Sequence, residues 1–272
     1  MSPSTATDQT TAQQSADDEY LFEADLYDVL WAGLNDVDLP FLLNAAKDFG
    51  GPVLELACGT GRVLLPVAAL TGRATGVDLS PSMLARARRN LAAADLSEDQ
   101  VDLVEGDLRT VRLGARFPLI LAAGQPLFHC VDDEDWNRAL ATVRAHLAPG
   151  GRFVSGIPVF RFDEMARYSE RFYLAGEIRH PETGQRIAMW DYNVYNLRDQ
   201  SVTRRRVSEV LDETGLVVER RHTFRTNYYR YPNEVRRSLI DGGFRLEHEY
   251  GGYDESPYGP NSEHYVWIAA AD

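Results

Sequence analysis

Cysteine is scarce in this chain, and other absences narrow its class further. Its 272 residues include two cysteines, Cys58 and Cys130, which predicts free thiols in a reducing compartment rather than a disulfide framework or a metal site. The sequence has no apolar run of about eighteen residues and no basic-then-apolar leader. It therefore predicts a cytoplasmic protein with no membrane partner.

Positive charge is also in short supply. There are 28 Lys and Arg residues against 41 Asp and Glu residues, which gives a net charge of −13. Because phosphate backbones need a positive surface, this balance argues against a nucleic-acid partner and favours a small-molecule substrate. The basic runs 204–206 and 236–237 are predicted to lie on exposed faces of a strand and a helix.

The usual phosphate-binding glycine motifs are missing too. Residues 53–61 form an apolar strand pattern with one acid, Glu55, followed by Gly59 and Gly61. Leu64 stands where a dinucleotide fingerprint needs its third glycine, and no Gly-Lys-Ser/Thr follows. Glycines allow a ligand to approach the backbone, since no Cβ blocks it. Together with Glu55, the loop favours a cationic or zwitterionic ligand.

Two more strand ends carry polar residues of the same kind. Residues 74–78 form a short strand ending in Asp78, where a carboxylate can accept both hydroxyls of a ribose. Ser80 is a predicted N-cap of the next helix, with Met83 placed to pack on a flat purine. Asp107 follows the third strand and is free to accept from an exocyclic amine. The three strand ends predict one ligand crevice along the edge of a sheet.

These motifs resemble those of the class I S-adenosylmethionine-dependent methyltransferases. The resemblance is close over about residues 20–160 and looser over residues 244–271, and four ordered segments carry it: 55–61, 76–80, 106–108 and 147–153. It implies an α/β fold, a Rossmann-like, mostly parallel seven-stranded sheet with helices on both faces. It also implies S-adenosyl-L-methionine as cofactor, S-adenosyl-L-homocysteine as product and no metal.

The resemblance assigns residues to the cofactor. This implied set is Glu55, Ala57, Gly59, Gly61, Asp78, Leu79, Met83, Gly106, Asp107, Leu108, Ala123 and Gly124. One position departs from the family: many relatives have an acid at the start of the fourth strand, where this chain has Phe117-Pro118. Proline is tolerated at the start of a strand, so we expect the strand to survive without that contact.

The pattern along the chain predicts four parts. Residues 1–17 are expected to be a disordered tail, 18–160 a cofactor-binding core with an N-terminal helical lid, 161–231 an antiparallel β insertion capping the substrate, and 232–272 a helix and two strands that complete the sheet. Three strands are predicted in the insertion, at 185–196, 201–211 and 216–228. Its position resembles that in amino-sugar N-methyltransferases, which suggests a natural-product substrate from secondary metabolism. Its strand edges leave a homodimer through the insertion open.

Methyl transfer needs an aligned nucleophile and, for a hydroxyl acceptor, a base. His129, in the loop after the fourth strand, is the candidate base or orienter, and Tyr27 is the second catalytic candidate. The candidate substrate-binding residues are Tyr20, Trp31, Gln125 and Tyr229. The acceptor atom, nitrogen or oxygen, is left open.

Three alternatives accompany this reading. The same pocket could bind S-adenosylmethionine for a cyclisation or another reaction in which no methyl group moves. A non-catalytic binding module is disfavoured because the set of cofactor motifs is intact. A nicotinamide oxidoreductase is disfavoured by the failed glycine spacing.

Overall fold

The computed structural model describes residues 23–271, so the predicted tail at 1–17 and the candidate Tyr20 lie outside the described residues. Its helices are α1 Glu23–Leu30, α2 Leu39–Phe49, α3 Leu64–Thr71, α4 Pro81–Ala93, α5 Asp133–His146, α6 Phe162–Tyr168 and α7 Pro232–Asp241. Its strands are β1 Val53–Leu56, β2 Ala74–Asp78, β3 Val101–Glu105, β4 Phe117–Ala122, β5 Leu147–Pro158, β6 Phe172–Arg179, β7 Arg186–Asn196, β8 Ser201–Leu211, β9 Val217–Tyr228, β10 Phe244–Tyr250 and β11 His264–Ala271. A short 3-10 helix, Pro126–His129, follows β4.

Seven strands form the central sheet, in the order β3-β2-β1-β4-β5-β11-β10. β1 to β5 pair in parallel, while β11 runs antiparallel to both β5 and β10. The side chains of β1 alternate between two apolar clusters: Val53 packs with α2 and α3 residues on one face, and Leu54 packs with α5 residues on the other. Both faces are therefore buried, as a mostly parallel sheet requires, and the predicted fold class is confirmed.

The proline that departs from the family pattern at the start of β4 coincides with an irregularity in the pairing of β4 with β5. β4 begins at Phe117, and its register against β5 shifts between Phe117 and Leu119. Pro118 lies at this shift and has no N–H to donate. From Leu119 onward the pairing is regular, so the strand survives the proline.

The insertion is an antiparallel sheet of four strands, in the order β6-β7-β8-β9. The three predicted strands correspond to β7, β8 and β9, and β6 is an addition that the sequence did not reveal. Helix α1, here called the lid helix, packs on this sheet. Its Leu26 is 2% exposed and clusters with Ile187, Met189 and Val210. The lid helix and the insertion thus share an apolar contact.

The basic runs are only partly exposed. Arg236 and Arg237 lie on the exposed side of α7, as expected. Arg206 is different: it is 8% exposed, and its guanidinium pairs with both carboxylate oxygens of Asp191 at 2.7 and 2.8 Å. The expectation of an exposed face for residues 204–206 is therefore wrong at Arg206, because a neighbouring strand supplies a buried counter-ion. Within residues 23–271, no helix is long and apolar enough to cross a membrane.

Candidate active site

A cavity of about 320 Å³ opens at the carboxyl ends of β1, β2, β3 and β4. Parallel strands place these ends at one edge of the sheet, which is where open α/β folds bind ligands. Ten of the twelve residues assigned to the cofactor by resemblance line it: Ala57, Gly59, Asp78, Leu79, Met83, Gly106, Asp107, Leu108, Ala123 and Gly124. Glu55, in β1, and Gly61, in the glycine loop, do not line it.

The glycine loop leaves backbone accessible to the cavity. Gly59 and Gly61 have φ values of 54° and 83°, a region that favours glycine. A Cβ built at Gly59 would have one neighbour within 4 Å, the Cε1 atom of Tyr27 at 4.0 Å. A ligand can therefore approach the main chain at Gly59 closely.

Asp78 links the loop to the next helix. Its Oδ2 accepts from the Gly59 N–H at 2.7 Å, and its Oδ1 accepts from the Ser80 N–H at 2.9 Å. Burial raises the pKa of this carboxyl, and the two backbone donors oppose that shift. Since each carboxylate oxygen can accept more than one hydrogen bond, Asp78 keeps acceptor capacity toward the cavity.

The first turn of α4 forms the adjacent wall. Ser80 is the N-cap, as predicted, and its Oγ accepts from the Met83 N–H at 3.3 Å. Met83 is 3% exposed and faces the cavity. The cap therefore fixes an apolar side chain against the space where a flat ring could bind.

Asp107 is more constrained than the sequence suggested. Arg109 donates to both of its carboxylate oxygens, at 3.0 Å from Nε and 2.6 Å from Nη2, and also to Asp135 at 2.6 Å. These contacts raise the pKa of the Arg109 guanidinium. Asp107 lies in the cavity wall but is already ion-paired, so its predicted contact with an exocyclic amine has to be made beside Arg109.

Glu55 is a buried acid with incomplete hydrogen bonding. It is 3% exposed, and its Oε2 has no hydrogen-bond partner among the described residues. Burial raises the pKa of its carboxyl from 4.5 to about 8; Arg62 opposes the shift, and Asp38 and Asp78 add to it. With its pKa raised to about 8, Glu55 is protonated near neutrality and carries no charge toward the loop. The residues that line the cavity fit S-adenosylmethionine in other ways: Gly59 leaves the main chain accessible, Asp78 offers hydrogen-bond acceptors, and Met83 presents an apolar wall.

Tyr27 and His129 are brought to the same cavity from distant parts of the chain. The Tyr27 ring lies near Gly59, and its hydroxyl is 3.9 Å from the position of a Gly124 Cβ. Burial raises the Tyr27 pKa to about 12, so the hydroxyl stays protonated near neutrality. The His129 ring is exposed to the cavity yet surrounded by protein; desolvation, then the Arg225 and Arg109 cations, lowers its pKa to about 4. His129 is therefore a neutral hydrogen-bonding group and a weak base.

The candidate substrate residues are placed differently. Trp31 packs beside Tyr27, with ring centroids 6.1 Å apart and the ring planes at 51°, but it does not line the cavity. Gln125 has a φ of 68° and starts the 3-10 helix after β4, outside the lining as well. Tyr229 is 1% exposed and stacks on Phe160 at 4.6 Å in the core. The assignment of Tyr229 to substrate is corrected, because its ring fills the core rather than the cavity.

Sequence reasoning missed several lining residues: Ser80, Arg109, Pro126, Cys130, Val131 and Thr226. Most of them directly follow residues that were identified. Thr226 has no such signal, because it comes from β9 of the insertion. It makes the insertion one wall of the cavity. Among the described residues, no group of three or more His, Cys, Asp or Glu could hold a metal ion.

Comparisons with known proteins agree with this geometry. A family model described as a methyltransferase domain matches residues 53–151. The chain is 26% identical over 235 residues to a dTDP-3-amino-3,4,6-trideoxy-alpha-D-glucopyranose N,N-dimethyltransferase of Streptomyces venezuelae, covering 84% of this chain and 92% of that protein. It is 37% identical over 108 residues to an S-adenosyl-L-methionine-dependent Diels-Alderase of Talaromyces variabilis, covering 38% of this chain and 35% of that protein.

Among solved structures, the CcbJ methyltransferase from Streptomyces caelestis superposes with a TM-score of 0.70 at 24% identity. The match covers 86% of this chain and 90% of that one. At this identity the likeness bears on the fold. The superposed region is longer than the central sheet, so it also includes residues outside that sheet.

Proposed function

The chain is a class I S-adenosylmethionine-dependent methyltransferase, and from that premise we propose that it methylates the amino nitrogen of a sugar carried on a nucleoside diphosphate. The observation that carries this proposal is the relative that acts on a dTDP-amino sugar and aligns over 84% of this chain. That alignment is too long to be confined to the cofactor-binding core. We also propose a cytoplasmic location, because Cys58 and Cys130 are buried free thiols.

At the cofactor end, the strand-end residues have separable roles. Asp78 would accept from the ribose hydroxyls, Met83 would pack on the purine, and Gly59 would let the methionine part reach the main chain. Glu55 would stay protonated near neutrality and carry no charge toward the cofactor. When bound, S-adenosylmethionine supplies an activated methyl group and leaves as a neutral thioether.

At the acceptor end, His129 and Tyr27 would orient the nucleophile. A neutral amine attacks without a base, and a hydroxyl needs one. With a pKa of about 4, His129 is poorly suited to deprotonate a hydroxyl but well suited to accept a hydrogen bond from an N–H. The oxygen of the protonated Tyr27 hydroxyl can likewise accept from an N–H, which leaves the nitrogen lone pair free to attack. This pairing favours nitrogen over oxygen.

The insertion, residues 161–231, would cap the acceptor. Thr226 of β9 lines the cavity, and the electrostatic effect of Arg225 reaches both His129 and Tyr27. A cation at this position disfavours the ammonium form of an approaching amine. The cap would thus exclude water and keep the acceptor neutral.

The second candidate is a reaction that uses the same pocket without methyl transfer. The Diels-Alderase supports it by a higher identity, but only over 38% of this chain. A match of that length leaves more than half of this chain unaligned. We therefore prefer methyl transfer.

A paired-substrate assay tests the proposal. The purified chain is incubated with S-adenosylmethionine and a dTDP-amino sugar, or with the matched sugar carrying a hydroxyl in place of the amine. We expect S-adenosylhomocysteine and a methylated amine from the first substrate only. Methylation of the hydroxyl sugar would contradict the nitrogen assignment, and cofactor binding without S-adenosylhomocysteine on any acceptor would favour the second candidate.

We further propose a homodimer through one face of the insertion. A row of directly paired residues crosses its four strands: Phe172, Tyr192, Arg205 and Phe224. Phe172 is 53% and Phe224 62% exposed, and the Arg205 guanidinium lies 5.8 and 5.6 Å from their ring centroids. Aromatic and Arg side chains together are typical of interface cores. A second copy would cover them.

Sedimentation velocity tests the dimer. We expect the wild type to sediment as a dimer and a Phe172→Asp/Phe224→Asp variant as a monomer. Leu216→Asp is the matched control, since Leu216 is 68% exposed but lies outside β8 and β9, at the turn between them. A monomeric wild type at tens of micromolar, or a dimer that survives the double substitution, would rule this interface out.

A further inference from the structure

Two neighbouring residues of the lid helix contact the glycine loop, one from the cavity side and one from outside the cavity. Tyr27 lies on the cavity side, with its ring near Gly59 and its hydroxyl near Gly124. Asp28 lies outside the cavity lining and contacts Thr60 instead. Consecutive side chains of one helix therefore contact the glycine loop on two sides.

Asp28 belongs to a closed ring of polar contacts between three elements. Its Oδ1 accepts from the Thr60 hydroxyl at 2.5 Å, and its Oδ2 accepts from the Asn90 amide at 3.1 Å. The same Asn90 amide donates to the Thr60 carbonyl at 3.0 Å. The lid helix, the glycine loop and α4 are thus joined by side chains that also join each other.

Arg86 adds charge to this ring. Its Nε lies 3.4 Å from Asp28 Oδ2, one helical turn before Asn90 on the same face of α4. Its Nη1 reaches Glu182, between β6 and β7, at 3.5 Å. Hydrogen bonds to a charged carboxylate are stronger than neutral ones. Asp28 is therefore the acceptor on which the polar attachment of the lid helix depends.

We propose that Asp28 is a positioning residue for methyl transfer, fixing the lid helix to Thr60 and Asn90 so that Tyr27 stays across the cavity. The other side of the helix is held by the apolar cluster of Leu26 with the insertion. Loss of the Asp28 contacts releases the lid helix from the core while it remains attached to the insertion. Asp28 then affects cofactor residence and turnover through Tyr27, without touching either ligand.

The substitutions at Thr60 provide a matched pair. Thr60 is fully buried, so Thr60→Val keeps its shape and removes the hydroxyl, whereas Thr60→Ser keeps the hydroxyl. Asp28→Asn removes the charge and directs an amide toward Asn90 or Thr60. Asp102→Asn is the remote control, an exposed acid paired with Arg73.

The first measurement is amide hydrogen exchange in the ligand-free protein. We expect exchange in residues 24–30 to accelerate about tenfold or more in Asp28→Asn and Thr60→Val, as the loss of a charge-assisted hydrogen bond implies, and to stay unchanged in Thr60→Ser and Asp102→Asn. Unchanged exchange in Asp28→Asn and Thr60→Val would overturn the proposal. So would acceleration spread evenly over the central sheet, because that reports general destabilisation.

The second measurement is the dissociation rate of S-adenosylmethionine, followed by the fluorescence of Trp31 beside Tyr27, with Trp31→Phe to assign the signal. We expect faster dissociation and a lower kcat in Asp28→Asn and Thr60→Val, and wild-type values in Thr60→Ser. Because the inference rests on the proposed role of Tyr27, exchange and activity are read separately. If exchange responds and no amine is methylated by the wild type, the acceptor assignment fails, while the attachment of the lid helix by Asp28 stands.

Discussion

Glu55 makes the stability of this protein depend on pH in a predictable direction. Its pKa is raised from 4.5 to about 8 by burial, so between these values the folded protein holds a proton that the unfolded chain has released. The folded state then binds more protons than the unfolded state, and the free energy of unfolding falls as pH rises. The contribution is full below pH 4.5 and is lost as pH rises through about 8.

The perturbation is Glu55→Gln, which resembles the protonated acid and does not titrate. A difference of one bound proton changes the free energy of unfolding by about 1.36 kcal/mol per pH unit. Between about pH 5.5 and 7.5, the free energy of unfolding of the wild type should therefore fall by on the order of 2 kcal/mol more than that of the variant. Other titrating groups, including His129 and Asp78, are common to both proteins and cancel in the difference.

Urea unfolding of the ligand-free proteins at several pH values measures this difference. Urea is preferred to guanidinium because it leaves charge interactions unscreened, and fluorescence and circular dichroism should be compared because the insertion can unfold separately. Wild-type and Glu55→Gln profiles that run parallel with pH would refute the reasoning. They would mean that Glu55 is ionised in the fold.

Three further predictions concern other parts of the molecule. The pH–rate profile should show the His129 inflection at about pH 4, and Arg225→Gln should move it part of the way toward 6.5, because one cation that lowers the pKa is removed while the larger effect, desolvation, remains; an unmoved inflection would mean that Arg225 does not act on His129. Met83→Ala should cost about 2–5 kcal/mol in urea unfolding, since the side chain is 3% exposed, and should also weaken S-adenosylmethionine in calorimetry; unchanged affinity would remove Met83 from the purine site. Asp191→Asn should destabilise the protein by about 3–5 kcal/mol, because it leaves the buried Arg206 charge without its counter-ion. A lower urea midpoint would measure this, and a loss of unfolding free energy below about 1 kcal/mol would mean that water reaches the pair.

The cofactor end of the site could be anticipated because its information is local. A buried strand, a glycine turn and an acid at the next strand end each occupy a few residues, and parallel pairing brings them to one edge. Asp78 and Met83 follow from such short patterns, whereas Ser80 was anticipated as a helix cap and not as a residue of the cavity. The structure places them together at the cavity.

The acceptor end could not be anticipated in the same way. Thr226 enters the cavity from β9, and nothing in the residues around it indicates which strand of the insertion approaches His129. Tyr229, three positions later, looked equally suited to bind a substrate, but its ring is buried in a stack with Phe160. Such choices depend on long-range packing, which strand patterns alone do not encode.

Strand β6 shows a second limit. Its residues Phe172–Arg179 are all exposed or partly exposed. Gly176 interrupts its apolar residues, and the pairing with β7 shifts register between Leu174 and Gly176, which weakens the alternation on which strand prediction relies. The ion pair of Arg109 with Asp107 was missed for a different reason, since an arginine two residues after an acid does not by itself show where its guanidinium will bind.

The place of β11 in the sheet has a consequence for how the protein is assembled. Among the strands of residues 23–271, β11 comes after the ten others, yet it lies between β5 and β10 rather than at an edge. Until residues 264–271 are in place, β5 presents an open edge and β10 has no partner, and such edges promote aggregation. Loss of β11 would therefore separate β10 from the rest of the sheet, whereas loss of an edge strand would leave the other strands paired. The order of synthesis makes the interior strand the one that closes the structure.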